Sequence, residues 1–490
     1  MINKIIYSTL IVLMLMLSAC TKDFDEINSN PNGSTEISTG FLLTNAQKRA
    51  MDSSWDEWWN GRRGNQLAQY WASNQYSNES RYALRVDITN SYWTNFYAGV
   101  LQDLTEIIRL NEDFPEENQG YGSNANQIAV SKIMKTWLLQ NMTDQWGDIP
   151  FTEANKGVSF PSPAYDSQEG VYDGLIAMLD EAINTIDGGA GPSGDQIFGG
   201  DMSKWAKFAN SLKLRLAMRI ADVDADKAST VANEAVSAGV FGSNADNALF
   251  EYLGGAPNNN PLNQDRITRN DFAASNILID ELLALDDPRI EYYAEPALNS
   301  GTYVGEVYGL TEADAATTLD DDISQRSQEV LAADAPGIYM DYASVQFFLA
   351  EAVERGFIAG SASDYYSEGI RASMEYWSLG SLTSDDINTY LAKPEVDYAT
   401  VIAGSPWNEV IGKQKWLALY MQGMESWTEW RRLDFGILQD PAGGVLAGSG
   451  IPARMLYPTQ EYDRNGNSVS AAASSIGGDL LDTKLWWDAN

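Results

Sequence analysis

Apolar residues recur along this chain mostly with the spacing of a helix. Tyr172, Leu175, Ile176, Leu179, Ile183 and Ile186 fall on one stripe, and Gly188-Gly189 marks its end. Trp205, Phe208, Leu212, Leu216 and Ile220 form a second stripe behind a candidate N-cap, Ser203. A third runs through Val231, Ala235 and Val236, with Asp226 read as its cap. Tyr342, Val345, Leu349 and Ala352 pair with the segment from Tyr365 to Trp377, and Gly356 and Gly360 mark the turn between them. A last long helix is predicted to carry Trp416, Tyr420, Met424 and Trp427, and earlier helices are predicted near 41–51, 60–73, 88–112 and 124–142. The recurring unit is two helices joined by a short turn, the logic of tetratricopeptide-like arrays, although no clean period of about 34 residues is legible.

Long irregular stretches separate these hairpins at 143–165, 187–202, 240–271, 287–339 and 435–490, rich in Gly, Asn, Asp, Pro and Tyr. Their aromatic content argues against disorder, and long ordered loops on a rigid back suit a binding protein. The predicted fold is therefore mainly α: a helical hairpin scaffold over 40–490 with loop insertions near 240–271, 287–339 and 435–490.

The N-terminus does not belong to that fold. Lys4, an apolar run to Leu17 and the small residues Ser18 and Ala19 precede Cys20. This is the pattern of a signal peptide over 1–19, too short for a spanning helix of roughly 18 or more apolar residues. Cys20 is the only cysteine, and Leu17-Ser18-Ala19-Cys20 is similar to a bacterial lipobox, so Cys20 is read as a lipidated first residue. Acyl chains would anchor it to a membrane at about 0.8 kcal/mol per buried CH₂. The polar, turn-rich segment over 20–39 reads as a flexible tether. With its one thiol committed to lipid, the mature chain has no disulfide to draw on.

The formal charge is −36, which disfavours nucleic acid and anionic surfaces and, short of a local basic pocket, strongly anionic ligands. There is no histidine, which removes Ser-His-Asp and Cys-His nucleophile systems and His-ligated zinc. No phosphate-binding glycine motif is present. A pair of carboxylates for glycoside hydrolysis stays open among 68 acidic residues. No cofactor is expected. Calcium has only soft support from Asp320-Asp321-Asp322 and from Asp463, Asn465 and Asn467, where Ser468 stands at the position that an EF-hand gives to Gly. Asp222, Asp224 and Asp226 alternate too, but helix capping explains them.

Sugars present apolar C–H faces ringed by hydroxyls, so a glycan site needs rings on loops with amide or arginine neighbours. Of the 15 Trp and 24 Tyr, most must be core. Trp55, Trp58 and Trp59 fall at helical spacing and read as packing, as do Trp416, Tyr420 and Trp427. The loop candidates are Tyr76, Asn78, Arg81 and Tyr82; Asn260 and Arg266; Tyr292, Tyr293, Tyr303 and Tyr308; and Trp407. For each of these, packing within its own loop is an equally good reading.

Several segments, taken in order, resemble the SusD/RagB nutrient-binding lipoproteins of Bacteroidetes, in the SusD-like branch. They are Cys20 with Ile27 to Asn32, Gln69-Tyr70-Trp71-Ala72 with Asn78 to Tyr82, Thr143 to Ala154, Trp205 to Arg215, and Gln414-Lys415-Trp416 with Glu425-Ser426-Trp427 and Arg431-Arg432; Tyr457-Pro458 with Glu461 and Asn465 completes them. One departure is Leu433-Asp434-Phe435-Gly436, where relatives often carry Tyr-Pro after the double arginine. The resemblance implies a cell-surface lipoprotein of the outer membrane, lidding a SusC-like TonB-dependent transporter. It implies capture of oligosaccharide without chemistry, and that the shared motifs mostly hold the scaffold. An algal β-glucan is the glycan guessed from acidity alone. Two alternatives stay open: a surface glycoside hydrolase, and a peptide binder of the RagB kind.

Overall fold

The computed structural model describes residues 37–489; the signal peptide, Cys20 and most of the 20–39 tether lie outside them. Side-chain caps set where the helices begin. Ser167 accepts from Gly170 N and opens Gln168–Thr185. Asp201 accepts from the amides of Ser203 and Lys204 and opens Met202–Arg219. Asp224 opens Ala225–Ala238, Asp341 opens Tyr342–Glu354 and Ser361 opens Ala362–Trp377. Each cap supplies an acceptor to amides that have no partner within the helix.

Consecutive helices then pack as hairpins: Asn124–Trp146 on Gln168–Thr185, Met202–Arg219 on Ala225–Ala238, and Tyr342–Glu354 on Ala362–Trp377. The predicted stripes are their buried faces, with Trp205, Phe208, Leu212, Leu216 and Ile220 all at most 1% exposed. Among the described residues, strand is confined to two small antiparallel pairs, Trp71–Ser73 with Phe272–Ala274 and Ala248–Phe250 with Gly337–Met340. The predicted mainly-α hairpin scaffold is the fold observed. Among the described residues no helix is long and apolar enough to cross a membrane.

A buried ionic network ties five helices together. Arg219 reaches Asp144, Glu425 and Glu429; Arg432 reaches Glu351 and Glu429; Lys415 also reaches Glu429. None of these side chains is more than 8% exposed. Burial of ions is costly unless every partner is in place, so the network fixes how the helices register. Lys415, Glu425 and Arg432 all belong to the segments that carried the family resemblance.

Several boundaries differ from expectation. The caps are Asp201 and Asp224, two residues ahead of Ser203 and Asp226. The predicted helix 60–73 is a π-helix Glu57–Gly64 and a short turn Asn65–Leu67, followed by strand Trp71–Ser73. The 88–112 helix spans Val86–Asp113 with a π segment, Asn95–Leu101, inside it. The last long helix is two, Trp407–Ala418 and Gly423–Leu433, parted by Met421 at φ +71. The 435–490 stretch holds helices Thr459–Arg464 and Gly466–Ser475.

That break lets two backbones touch. A Cβ at Gly423 would lie 2.1 Å from the Gly64 carbonyl carbon, and one at Gly64 3.0 Å from Met424 N. Backbone cannot yield as a side-chain tip can, so Gly423→Ala should cost about 2 kcal/mol or more. Calorimetric melting of the variant checks this, and an unchanged transition would mean the two segments separate freely.

Candidate functional site

The break between helix Thr39–Trp55 and the π-helix Glu57–Gly64 organises the exposed chemistry. Asp56 is extended (φ −80, ψ 174) and caps the π-helix through the amides of Trp58 and Trp59. Tyr92 also donates to its carboxylate. The chain is thereby rephased: Trp55 and Trp59 enter the core, while Trp58 packs against its edge and stays partly exposed. Burial pushes the Asp56 carboxyl up to about 7 against the pull of those donors.

Trp58 stands between two arginines, with Arg62 4.9 Å and Arg85 5.0 Å from its ring centre. The same Arg62 lies 5.6 Å from the ring of Tyr76, and Arg269 lies 5.0 Å from that ring. Arg62 itself is only 3% exposed and ion-paired to Asp271. A single buried cation therefore braces two surface rings, Trp58 half-buried and Tyr76 exposed. Cation–π contacts of this kind are worth on the order of 1 kcal/mol each. They also spare a ligand the cost of ordering the rings.

The strand pair places the Tyr76 loop. Ser73 sits opposite Phe272, and Asn74 N donates to Asp271 O. Tyr76 then takes φ +56, a left-handed conformation uncommon for a non-glycine residue. Glu312 holds it there by accepting from the amides of Tyr76 and Ser77 at 3.1 and 2.8 Å. Such strain maintained under an exposed ring points to a use for that ring.

Beside Trp58 opens a groove of about 840 Å³ along helix Val86–Thr94, lined by Arg49, Arg85, Asp87, Asn90, Asn95 and Gln460. A second hollow of about 460 Å³, lined by Asp52, Asp56, Asn259 and Gln264, shares Ser53 with it. Trp58 with the amides and guanidinium groups of the walls matches what a sugar offers. Next to Trp58 in the chain, Glu57 is 4% exposed with one carboxyl oxygen unpartnered, and burial pushes it up to about 8 despite Arg326 and Arg62.

Of the sequence candidates, Tyr76 joins this site and Asn78 is exposed on the same loop. Arg81 does not reach it: its guanidinium donates to the carbonyls of Gly443 and Gly444 and pins that turn. Tyr82 is fully buried, as is Tyr293, which stacks 4.1 Å from Tyr420. Tyr308 is 3% exposed and donates to Gln66 O. Asn260 is buried and caps helix Pro261–Arg266. These four cannot meet a ligand at the surface. Arg266 is half-buried at the end of that helix, and Tyr292 and Tyr303 are half-buried against the core. Trp407 lies under Arg355, 5.0 Å from its ring. Asp320 is engaged by Asn74 and Asn270 and Asp322 by Asn299, so these loop carboxylates serve local hydrogen bonds. Among the described residues no group of three or more acidic side chains is arranged to hold a metal ion. Trp58, Arg62, Arg85 and Arg269 were absent from the sequence candidates; Asp56 as a helix-breaking cap was the available signal.

A family model described as starch-binding, associating with outer membrane, matches residues 31–458. A solved chitin-binding protein superimposes with TM-score 0.81 at 28% identity, over 92% of this chain and all of that one. A SusD homolog from Bacteroides uniformis gives TM-score 0.78 at 26% identity, over 93% of this chain and all of that one. A chitin-binding SusD homolog from Flavobacterium johnsoniae gives 0.78 at 24% identity, over 92% of this chain and 98% of that one, a likeness of fold. No curated protein matches the chain significantly. With the model spanning most of the sequence and the hairpin scaffold in agreement, the chain belongs to the SusD-like family.

Proposed function

We propose that this protein captures glycan at the outer membrane and holds it, unaltered, across Trp58 and Tyr76 for delivery to a SusC-like TonB-dependent transporter. The observation that carries the reading is the ring pair braced on one buried arginine, with one of the two rings, Trp58, lining an amide-rich groove. The family description and the chitin-binding relative support a carbohydrate ligand, and chitin fragments are the first sugars to try. Lipidation at Cys20 would hold the groove at the cell surface.

The hydrolase alternative would centre on Asp52 and Asp56, which share the second hollow. Their oxygens are committed. Asp52 takes Lys48 and Tyr252, and Asp56 takes two amides and Tyr92. A catalytic pair must have room for sugar and water between its members, so we read these two as structural. The peptide alternative gains no specific observation.

Native affinity gels cast with glycol chitin, laminarin or starch, beside a casein-peptide control, test the proposal. Retardation by a polysaccharide without release of reducing sugar is the expected result; cleavage, or binding to peptide alone, would overturn it. Within that assay Tyr76→Ala should weaken retention about tenfold, the order expected for losing one stacking ring, and lower the melting temperature only modestly through its two surface cation–π contacts. Arg81→Ala should do the reverse. It frees the carbonyls of Gly443 and Gly444, costs about 1–2 kcal/mol of stability, and leaves retention intact.

A further inference from the structure

The groove does not end at Gln460. Helix Thr459–Arg464 is clamped on helix Val86–Thr94: Gln460 Nε2 donates to Asn90 O at 2.8 Å and to Thr94 Oγ1 at 2.8 Å, and Asn90 Nδ2 donates to Thr459 Oγ1 at 3.0 Å. Gln460 faces the Trp58 groove, while its neighbour Thr459 faces a separate pocket of about 120 Å³. The same alternation runs along the other wall, where Arg85 and Asp87 line the groove and Leu84 and Val86 line the pocket. The two hollows are thus adjacent, divided only by this narrow double wall.

The pocket is built unlike the groove. Leu456, Val86 and Tyr462 converge on it, and all three are exposed, Tyr462 by 39%. Single exposed apolar residues are ordinary, but three around one concavity are a binding feature. The Tyr462 ring is also held in place. Its hydroxyl donates to Asp479 Oδ2 at 2.9 Å, and Asp479 Oδ1 in turn accepts from Tyr457 N at 3.0 Å and from the buried Arg454 at 2.9 Å. A fixed half-exposed ring beside aliphatic side chains presents a flat apolar face, the surface that stacks on the C–H face of a sugar at little entropic cost.

We infer that this pocket is a second sugar subsite, and that the protein recognises an extended glycan chain lying from Trp58 over Arg85 to Tyr462. The inference rests on the glycan-capture reading and adds a length requirement to it. Arg85 suits the crossing, because half its side chain is exposed and its pairing with the exposed Asp87 is readily exchanged for ligand hydroxyls. A short oligosaccharide fills the Trp58–Tyr76 end alone, whereas a longer one gains the second ring.

Titration calorimetry with matched hexa- and disaccharides of chitin, β-1,3-glucan, cellulose and starch tests this. For the sugar that binds, the hexasaccharide is expected to bind at least tenfold more tightly than the disaccharide. Tyr462→Ala should remove most of that advantage and leave disaccharide affinity unchanged, while Tyr462→Phe, which keeps the ring, should retain it. Equal affinities for the two lengths, or an undiminished advantage in Tyr462→Ala, would overturn the second subsite and leave glycan capture standing. Failure of every hexasaccharide to bind would remove both.

Discussion

Arg432→Ala should cost this protein about 3–5 kcal/mol, the range for breaking a buried ion pair from one side. The arginine is fully buried between Glu351 and Glu429, contributing paired N–H donors to each region of the network. Removing it leaves two carboxylates in the core, of which Glu351 loses its bidentate partner. Burial alone would raise Glu351, but Arg432 and Arg355 more than offset that and hold it at about 2. The loss is large against the roughly 5–15 kcal/mol that keeps a typical domain folded, so soluble yield should fall with the melting temperature. Arg432→Lys should recover little, because a point charge cannot bridge two carboxylates in the way a planar fork does. Full rescue by lysine, or a loss below about 1 kcal/mol, would show that water reaches the network.

This network explains why the scaffold was legible in the sequence and most of the site was not. Helical periodicity reports a buried stripe, so the hairpins from Gln168 to Trp377 could be read directly, while the two caps read from sequence, Ser203 and Asp226, fall two residues inside helices that Asp201 and Asp224 open. The segments carrying the family resemblance supply Lys415, Glu425 and Arg432 to the centre of the scaffold and so speak to fold. Loop aromatics carry no such signal. Tyr82, Tyr293 and Tyr308 follow turn-rich segments as Tyr76 does, yet each is buried; the hydroxyls of Tyr293 and Tyr308 are satisfied by the carbonyls of Leu417 and Gln66. Distinguishing them requires knowing where those distant carbonyls lie.

Trp58 is an intermediate case: it packs against the core, as its spacing suggests, but stays partly exposed beside the groove. Its spacing from Trp55 and Trp59 belongs to a continuous helix, but Asp56 interrupts the helix and a π-helix follows. Periodicity read across an unrecognised break cannot show that Trp58 keeps an exposed side as well as a packed one. Arg62 and Arg269 were missed for a related reason. Their partners Tyr76 and Asp271 are brought together only by the three-residue pairing of Trp71–Ser73 with Phe272–Ala274, strands too short to announce themselves by alternation.

Stability should be greatest near pH 4–5 and fall on both sides, and the alkaline side should be traceable to buried carboxyl groups, Glu57 among them. On the acid side, Glu351 and Glu425 sit at about 2, below the ordinary 4.5, because nearby arginines more than offset their burial. A depressed carboxyl contributes stability above its unfolded value, and that contribution drains away as pH falls from 4.5 toward 2. On the other side, burial raises Asp56 to about 7, Glu57 to about 8 and Glu306 to about 7. For these groups the unfolded chain releases its proton first. Their contribution is complete below pH 4 and is lost as pH climbs toward 7 or 8, at about 1.4 kcal/mol per pH unit for each group. Self-repulsion of a chain with formal charge −36 acts in the same direction, so the whole-protein curve alone does not identify the groups. Glu57→Gln does. It mimics the protonated form that the fold already prefers, so its melting temperature should draw level with the wild type near pH 4 and rise progressively above it from pH 5 to 8. A difference that stays constant with pH would mean that Glu57 is ionised in the folded protein. Glu57 is buried, with one carboxyl oxygen unpartnered, and lies in the field of Arg62, the cation that braces Trp58 and Tyr76. Ionising Glu57 would change the surroundings of that shared arginine, so glycan retention should weaken above pH 8 in the wild type but hold in Glu57→Gln.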